Sequence, residues 1–212
     1  MSDPLALTEL EADLLKEVFN VGIGYAAASL SVLMRQPISL SVPQLEFFDR
    51  PELTQYLGAE KQLCIVQQQV TGEFCFTSTL LFPEESSINL VRSFAPPGLE
   101  DSMLLEMLEE GMAEIGNILI NACIGKIAEM ADVKFDLSLP EYRIVSAVED
   151  FVNDLSHDAD DSNILLISVE MLMRESSYRG DMIFLFDRES LKGFRQHLKA
   201  IFSKLGATSL QL

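Results

Sequence analysis

The apolar positions near the start of the chain recur every three or four residues, which is the period of one face of an α-helix. These positions are Leu10, Leu14, Val18, Val21 and Tyr25. Thr8 and Glu11 have the T-x-x-E spacing of a capping box, a pattern that begins helices. Pro37 would remove a helical hydrogen bond, so the pattern ends there. The sequence therefore predicts a first long helix over about 9–35.

A different period follows this helix. In the segment PISLSVPQLEFF, Ile38, Leu40 and Val42 alternate with polar residues, which is typical of a strand with one buried face. The segments that follow are predicted as a linker (49–60), two strands (62–70 and 73–82) joined as a hairpin near Thr71-Gly72, a short helix (about 84–94) and a break (95–98).

The same order of patterns then restarts. A second long helix is predicted over 100–130, and the segment VKFDLSLP (133–140) repeats the alternation of a strand. The remaining segments are predicted as a connector (141–162) that includes the acidic loop Asp154–Asp161, a second hairpin made of 164–172 and 181–187 around 176–180, and a C-terminal helix (about 188–204).

This order predicts an α+β fold with a mainly antiparallel sheet and two long helices. Because the second half repeats the pattern of the first, we expect a pseudo-two-fold internal repeat, and not a solenoid, which needs three or more short units. A chain of 212 residues is long enough to bury a core of its own. We therefore expect 1–212 to form a single domain built from two repeats, at about 8–95 and 99–205.

The two predicted long helices carry the same polar pattern. The pattern E-x-x-N-x22-P occurs in both halves, as Glu17, Asn20 and Pro43 and as Glu114, Asn117 and Pro140. Residue frequencies of a few per cent put a chance match at on the order of 10⁻⁴ per starting position. Residues three apart on a helix share a face, so each glutamate should project beside its asparagine. Asp13 and Glu110 add an acid one turn before each pair. The two Glu–Asn pairs are therefore candidate functional residues.

Two glycines follow the first pair inside its predicted helix. Gly22 and Gly24 each lower helix stability by about 1 kcal/mol relative to alanine. Gly24 stands at the place that Asn121 has in the second half, so bare backbone beside Asn20 would let another surface approach closely. The alternative, close packing of the helix on a sheet, explains the glycines equally well.

The composition narrows the classes of partner and chemistry. The net charge of −18 repels phosphate backbones and anionic lipid, so neither nucleic acid nor a membrane is expected as a partner. Three scattered cysteines indicate reduced thiols, and two histidines are too few for a zinc or copper site. No apolar run reaches the roughly 18–20 residues that span a bilayer, and no signal-peptide pattern precedes the first helix. We expect a cytoplasmic protein.

The doubled motif, with an acid one turn before each Glu–Asn pair, resembles the duplicated signature of the CheC/CheX/FliY family of chemotaxis phosphatases, and among them it is most similar to CheC. The resemblance spans essentially the whole chain. It implies a CheC-like fold and an enzyme that accelerates hydrolysis of the aspartyl phosphate of a CheY-like response regulator. The partners that it implies are the phosphorylated CheY-like receiver and, as a further candidate, a CheD-like deamidase.

The resemblance also implies roles for the four side chains. Glu17 and Glu114 would pair with the active-site lysine of the receiver, and Asn20 and Asn117 would hold the attacking water. A neutral amide suits that task, because a carboxylate without a cationic partner would be repelled by the phosphoryl group. No cofactor of its own is implied, and the Mg²⁺ that phosphoryl transfer uses is expected from the receiver.

Two other functions stay open at this stage. A non-catalytic adaptor that binds a receiver domain, a flagellar-switch component or a CheD-like deamidase would present the same helical faces. A metal-dependent enzyme in its own right is the more distant alternative. The acidic loop Asp154–Asp161 lacks the glycine and the terminal glutamate of a calcium loop, so a solvated connector is expected there.

Overall fold

The computed structural model describes residues 9–58, 62–155, 164–173 and 176–209, which form six helices and eight strands. In chain order these are α1 (Glu9–Leu33), β1 (Ile38–Ser41), β2 (Leu45–Phe48), α2 (Arg50–Leu57), β3 (Leu63–Gly72), β4 (Phe76–Pro83), α3 (Glu84–Arg92), α4 (Asp101–Ala131), β5 (Phe135–Leu137), β6 (Glu141–Val145), α5 (Val148–Asp154), β7 (Ile164–Met173), β8 (Ser176–Phe186) and α6 (Arg188–Ser209). The expectation of mixed helices and antiparallel sheet is confirmed.

All eight described strands belong to one antiparallel sheet. The order across the sheet is β1-β7-β8-β4-β3-β5, while β2 pairs with the other end of β7 and β6 with the other end of β3. The long strands β7, β8, β4 and β3 thus form the centre, and each edge consists of two short strands. β1 and β2 come from the first half of the chain but pair with β7 of the second, and β5 and β6 pair with β3 of the first. The two halves exchange their edge strands.

Alternate residues of the central strands point to opposite faces of the sheet and build two hydrophobic cores. On β7, Leu165 and Ile167 lie in a core with residues of α1, α3, α4 and α6, whereas Ile164 and Leu166 lie in a second core with residues of α2 and α5. Helices therefore cover both faces. The two helices that carry the candidate residues, α1 and α4, contact each other on the face of the sheet that has the larger core.

Two glycines set how closely these helices approach their neighbours. A Cβ built on Gly22 would lie 3.1 Å from the carbonyl oxygen of Ala122 on α4, and a Cβ built on Gly116 would lie 2.5 Å from Cγ1 of Val66 on β3. Gly22 thus permits contact between two helices, not contact between a helix and the sheet. A Cβ built on Gly24 would meet no heavy atom within 4 Å, so this glycine leaves bare backbone at the surface.

The apolar positions that predicted α1 do not all face the core. Val18 is buried, but Val21 and Tyr25 are exposed by 38% and 64%. The buried stripe of α1 consists of Leu15, Val18, Phe19, Ile23, Ala26 and Leu30. The helix therefore presents apolar side chains on two faces, one to the core and one outward.

Three predictions of local structure are wrong. The predicted linker 49–60 contains α2, which begins at a capping box: the Asp49 side chain accepts from the N–H of Glu52, and the Glu52 carboxylate accepts from the N–H of Asp49. The predicted connector 141–162 contains β6 and α5, because this segment pairs with β3 and packs in the second core. The predicted turn 176–180 is the start of β8, paired with β7.

The two alternating segments form shorter strands than predicted. In the first, Pro43 offers no N–H to the ladder and separates β1 from β2. The second is a strand only at Phe135–Leu137. The capping residue Thr8 lies outside the described residues, and so does most of the acidic loop, since 156–163 are not described.

Candidate functional site

The four candidate residues lie on the outer surface of the paired helices. Glu17 and Asn20 are on α1, and Glu114 and Asn117 are on α4. Both glutamates are exposed and both asparagines are half-buried. Within the described parts of the chain, neither glutamate carboxylate has a hydrogen bond or an ion pair. Each pair is therefore open to contact with a second protein.

In the first pair, the main chain holds the asparagine. The N–H of Val42 donates to Asn20 Oδ1 at 3.0 Å. Because a backbone N–H only donates, this bond fixes which end of the amide faces the β1–β2 connection. Lys16 Nζ donates to the carbonyl oxygen of Pro43 at 2.9 Å. The connection between β1 and β2 is thus held on α1 by the side chains of Lys16 and Asn20.

In the second pair, other side chains hold the asparagine. Asn121 Nδ2 donates to Asn117 Oδ1 at 2.7 Å and to the carbonyl oxygen of Asn117 at 2.7 Å. The buried Gln68 on β3 donates from Nε2 to Asn117 Oδ1 at 3.4 Å and to the carbonyl oxygen of Ser138 at 2.7 Å. The two carbonyl oxygens fix the orientation of the Asn121 and Gln68 amides. Asn117 Oδ1 therefore faces two side-chain donors.

The β1–β2 connection beside Asn20 and the β5–β6 connection beside Asn117 also differ in burial and in hydrogen bonding. Val42 is 2% exposed, whereas Leu139 at the matching place is 86% exposed. Ser138 donates its N–H to the carbonyl oxygen of Gln69, and its Oγ accepts from the N–H of Gln69 at 3.0 Å. The second connection is thus tied to β3, while the first is tied to α1 as well as to β7, where the N–H of Ser168 donates to the carbonyl oxygen of Gln44 at 3.0 Å.

The register of the sheet explains why a glutamine lies below only one of the two asparagines. The matching pairs of the two ladders are Leu45–Ile167 and Tyr142–Val66. Two residues further along each long strand, Val169 on β7 stands where β3 has Gln68. Neither Gln68 nor Lys16 belongs to a pattern that would single it out in the sequence, because their positions beside the asparagines depend on strand pairing and on the path of the chain.

A groove runs between α1 and α4 next to the second pair. Its volume is about 540 Å³, and its lining residues are Tyr25, Ala26, Ser29, Asn117, Ile118, Asn121 and Ala122. The exposed ring of Tyr25 thus stands beside the second asparagine, although it belongs to the helix of the first. At the matching place, α4 has the smaller Ala122.

Asp181, Tyr56 and Cys123 have shifted pKa values but do not contact either Glu–Asn pair through a hydrogen bond within the described residues. On the α2 side of the sheet, Asp181 accepts from the hydroxyl groups of Tyr56 at 3.0 Å and Ser168 at 2.8 Å. Burial raises the pKa of Asp181 and also that of Tyr56. Burial raises the pKa of the Cys123 thiol to about 12. Asp181 and Tyr56 are half-buried and hydrogen-bonded to each other, and Cys123 is buried, so none of these groups is part of the candidate site.

Two further features bear on ligands and membranes. In the ranges that the structure covers, no three side chains of His, Cys, Asp or Glu are grouped so as to hold a metal ion. Over the same ranges, none of the helices has both the length and the apolar character needed to cross a bilayer.

Comparison with known proteins gives relatives along nearly the full chain. No protein-family model matches it. The chain is 21% identical over 209 residues to the CheY-P phosphatase CheC of Bacillus subtilis (strain 168), and the match covers 95% of this chain and 97% of that protein. Among solved structures, Thermotoga maritima FliY matches with a TM-score of 0.72 at 15% identity, over 92% of this chain and 98% of that one. The FliM middle domain from H. pylori matches with a TM-score of 0.61 at 10% identity, over 90% and 99%. The fold is therefore the one found in FliY and FliM.

Proposed function

We propose that the chain is a member of the CheC/CheX/FliY family and that it is a phosphatase that accelerates hydrolysis of the aspartyl phosphate of a CheY-like response regulator. The observation that carries the proposal is the outward-facing Glu–Asn pair on each of α1 and α4, with the amide oxygen of each asparagine held in place. The match to a protein named as a CheY-P phosphatase supports the substrate.

The glutamates are proposed to orient the receiver. Glu17 and Glu114 are exposed and have no ionic partner among the described residues, so each carboxylate is available to a cation of another protein. The active-site lysine of the receiver is the proposed cation. An ion pair of this kind would be strengthened when the interface excludes water.

The asparagines are proposed to orient the attacking water. The amide oxygen of Asn20 or Asn117 accepts a hydrogen bond from the water, which turns a lone pair of the water oxygen toward phosphorus. The amide is neutral, so it adds no repulsion to the charge of the phosphoryl group. Because the N–H of Val42 anchors the amide of Asn20, little reorganisation is needed at the first pair when the receiver docks.

The rest of the catalytic apparatus is assigned to the receiver. This chain is proposed to act without a cofactor of its own, and Mg²⁺ would come with the receiver, whose phosphoryl group it neutralises. We further propose that 1–212 is one domain of two repeats, at about 8–95 and 99–205, that it acts in the cytoplasm, and that a CheD-like deamidase is a second candidate partner.

The proposal is tested by the rate of phosphate release from a phosphorylated CheY-like receiver. Asn20→Ala and Asn117→Ala together should abolish the acceleration, while each single variant should keep the activity of the other site. Asn89→Ala, an exposed asparagine on α3 away from both pairs, is the matched control and should behave as the unmodified chain. Far-UV circular dichroism and a urea unfolding curve verify that the double variant is folded.

Two outcomes would contradict the proposal in different ways. If the folded double variant accelerates phosphate release as well as the unmodified chain, the asparagines do not position the water. If the unmodified chain binds the phosphorylated receiver without shortening the lifetime of the phosphate, the protein is an adaptor, the alternative that the exposed helical faces also fit.

A further inference from the structure

The two asparagines differ in how many hydrogen bonds their amide oxygens already accept. Among the described residues, Asn20 Oδ1 accepts one, from the N–H of Val42. Asn117 Oδ1 accepts two, from Asn121 at 2.7 Å and from Gln68 at 3.4 Å. An amide oxygen has two lone pairs. Asn20 therefore keeps one lone pair for a water molecule, and Asn117 has both lone pairs engaged.

Which end of the amide meets the water decides whether the water is reactive. In the hydrolysis, the water oxygen forms a bond to phosphorus while the bond from phosphorus to the aspartate oxygen breaks, and both water protons end on inorganic phosphate. A water whose O–H donates to the amide oxygen keeps a lone pair for the attack. A water that instead accepts from the amide N–H has one of its two lone pairs engaged and its oxygen made less electron-rich, so it is the poorer nucleophile. The productive contact is therefore with Oδ1.

We propose that Asn121 restrains the second site by occupying Oδ1 of Asn117, so that the first site is the faster of the two. Asn121 is then a positioning residue that sets the activity of Asn117 without touching the phosphoryl group itself. This inference rests on the proposed phosphatase function, since it concerns the same water.

Asn121, and not Gln68, is the residue that limits Asn117. Gln68 is 2% exposed, its bond to Asn117 is long, and its Nε2 is also held at 2.7 Å by the carbonyl oxygen of Ser138. Asn121 is exposed and makes the shorter bond. Its donor therefore competes directly with a water that approaches from outside.

The first half of the chain offers a matched place for the reciprocal change. Gly24 lies four residues after Asn20 on α1, as Asn121 lies four residues after Asn117 on α4. Gly24 has no side-chain hydrogen-bond donor. A Cβ built on Gly24 would have no heavy atom within 4 Å, so a side chain fits there. An asparagine at this place would stand four residues after Asn20 and could donate to its Oδ1, as Asn121 does to Asn117.

The experiment isolates each site and exchanges the neighbour. The Asn20→Ala chain reports the second site alone, and the Asn117→Ala chain reports the first. In the Asn20→Ala chain, adding Asn121→Ala should raise kcat about two- to tenfold, the range expected for one exposed hydrogen bond. In the Asn117→Ala chain, Gly24→Asn should be slower than Gly24→Ala by a similar factor. The alanine variant measures the effect of side-chain bulk, so the comparison isolates the donor.

The two kinetic parameters separate positioning from structure. KM for the phosphorylated receiver should stay within about twofold in every pair, because the change concerns the water and not docking. Asn121→Gln, which keeps an amide donor, should remain closer to the parent in kcat than Asn121→Ala does. Urea unfolding curves verify that each variant is folded.

Every result bears on the inference. It is overturned if Asn121→Ala leaves kcat of the second site unchanged or lowers it, if the second site is inactive both with and without Asn121, or if Gly24→Asn is no slower than Gly24→Ala. Failure of the phosphatase function itself is recognised separately, because then the unmodified chain would not accelerate phosphate release in the same assay.

Discussion

Replacing Gly116 by alanine tests a close contact between α4 and the sheet. The new Cβ would lie 2.5 Å from Cγ1 and 2.8 Å from Cβ of Val66, against 3.4–4 Å for ordinary van der Waals contact. Val66 is 0% exposed on β3. Its side chain has no open space to move into, so α4 itself must shift by about 1 Å. Asn117, the next residue, would move with it.

The expected magnitude follows from two opposing effects. Overpacking of a buried contact destabilises by about 1–3 kcal/mol. Exchange of glycine for alanine inside a helix stabilises by about 1 kcal/mol. We therefore expect Gly116→Ala to lower the free energy of unfolding by up to about 2 kcal/mol, a sizeable part of the roughly 5–15 kcal/mol of a typical domain.

Gly125→Ala is the matched control on the same helix. Gly125 is exposed, and a Cβ built on it would meet no heavy atom within 4 Å. This variant should be stabilised by up to about 1 kcal/mol through helix propensity alone. Because the propensity gain is common to both variants, the difference between them isolates the contact with Val66 and should be about 1–3 kcal/mol.

The assay is urea unfolding followed by far-UV circular dichroism, with the midpoint and slope compared among the three chains. Adding Val66→Ala to Gly116→Ala should remove part of the overlap, so the two changes should be less destabilising together than the sum of their separate effects. If Gly116→Ala is as stable as Gly125→Ala, α4 does not approach β3 as closely as described, and the reasoning about this contact is refuted.

Two further predictions concern the buried acid and the thiols. Since burial raises the pKa of Asp181, its contribution to stability is present below the ordinary carboxyl pKa of about 4 and is lost as the pH rises through the raised value. Asp181→Asn lacks this loss, so its unfolding free energy relative to the unmodified chain should increase as the pH rises from about 4 through the raised pKa of Asp181, and a flat or falling difference would contradict the assignment. Cys75 is exposed, whereas Cys64 and Cys123 are buried and the pKa of Cys123 is raised to about 12. A disulfide reagent should therefore modify one thiol rapidly in the folded chain and all three after unfolding. Rapid reaction that persists in Cys75→Ser would contradict this prediction.

The sequence indicated the kinds of elements better than their partners. Alternation in β1 and β5 marks a strand with one buried face, but it does not specify which strand it joins. The pairing of β1 with β7 spans most of the chain, and no local pattern encodes such a contact. The helix α2 has a local signal in the capping-box spacing of Asp49 and Glu52, but its eight residues are too few to show a clear helical period.

The sequence motif identifies the two Glu–Asn pairs as candidate functional residues but does not distinguish one from the other. Their spacing is the same, and spacing is all that a motif records. The difference arises from Val42 and Leu139, one buried and one exposed, and from Gln68, which reaches Asn117 only because of the register of β3. Such differences depend on distant backbone and become visible only in three dimensions.

The exchange of edge strands has a consequence for how the molecule can be divided. In the described sheet, β1 and β2 have their partner in β7, and β5 and β6 have theirs in β3. Cleavage of the chain between α3 and α4 would give two fragments. In each fragment the long strands would lack their edge partners, and the short strands would lack the long strand with which they pair. Such fragments should associate into the native sheet when mixed, and each should aggregate through its unpaired strand edges when alone. Neither asparagine therefore lies on a half that would fold alone, because each half depends on strands of the other.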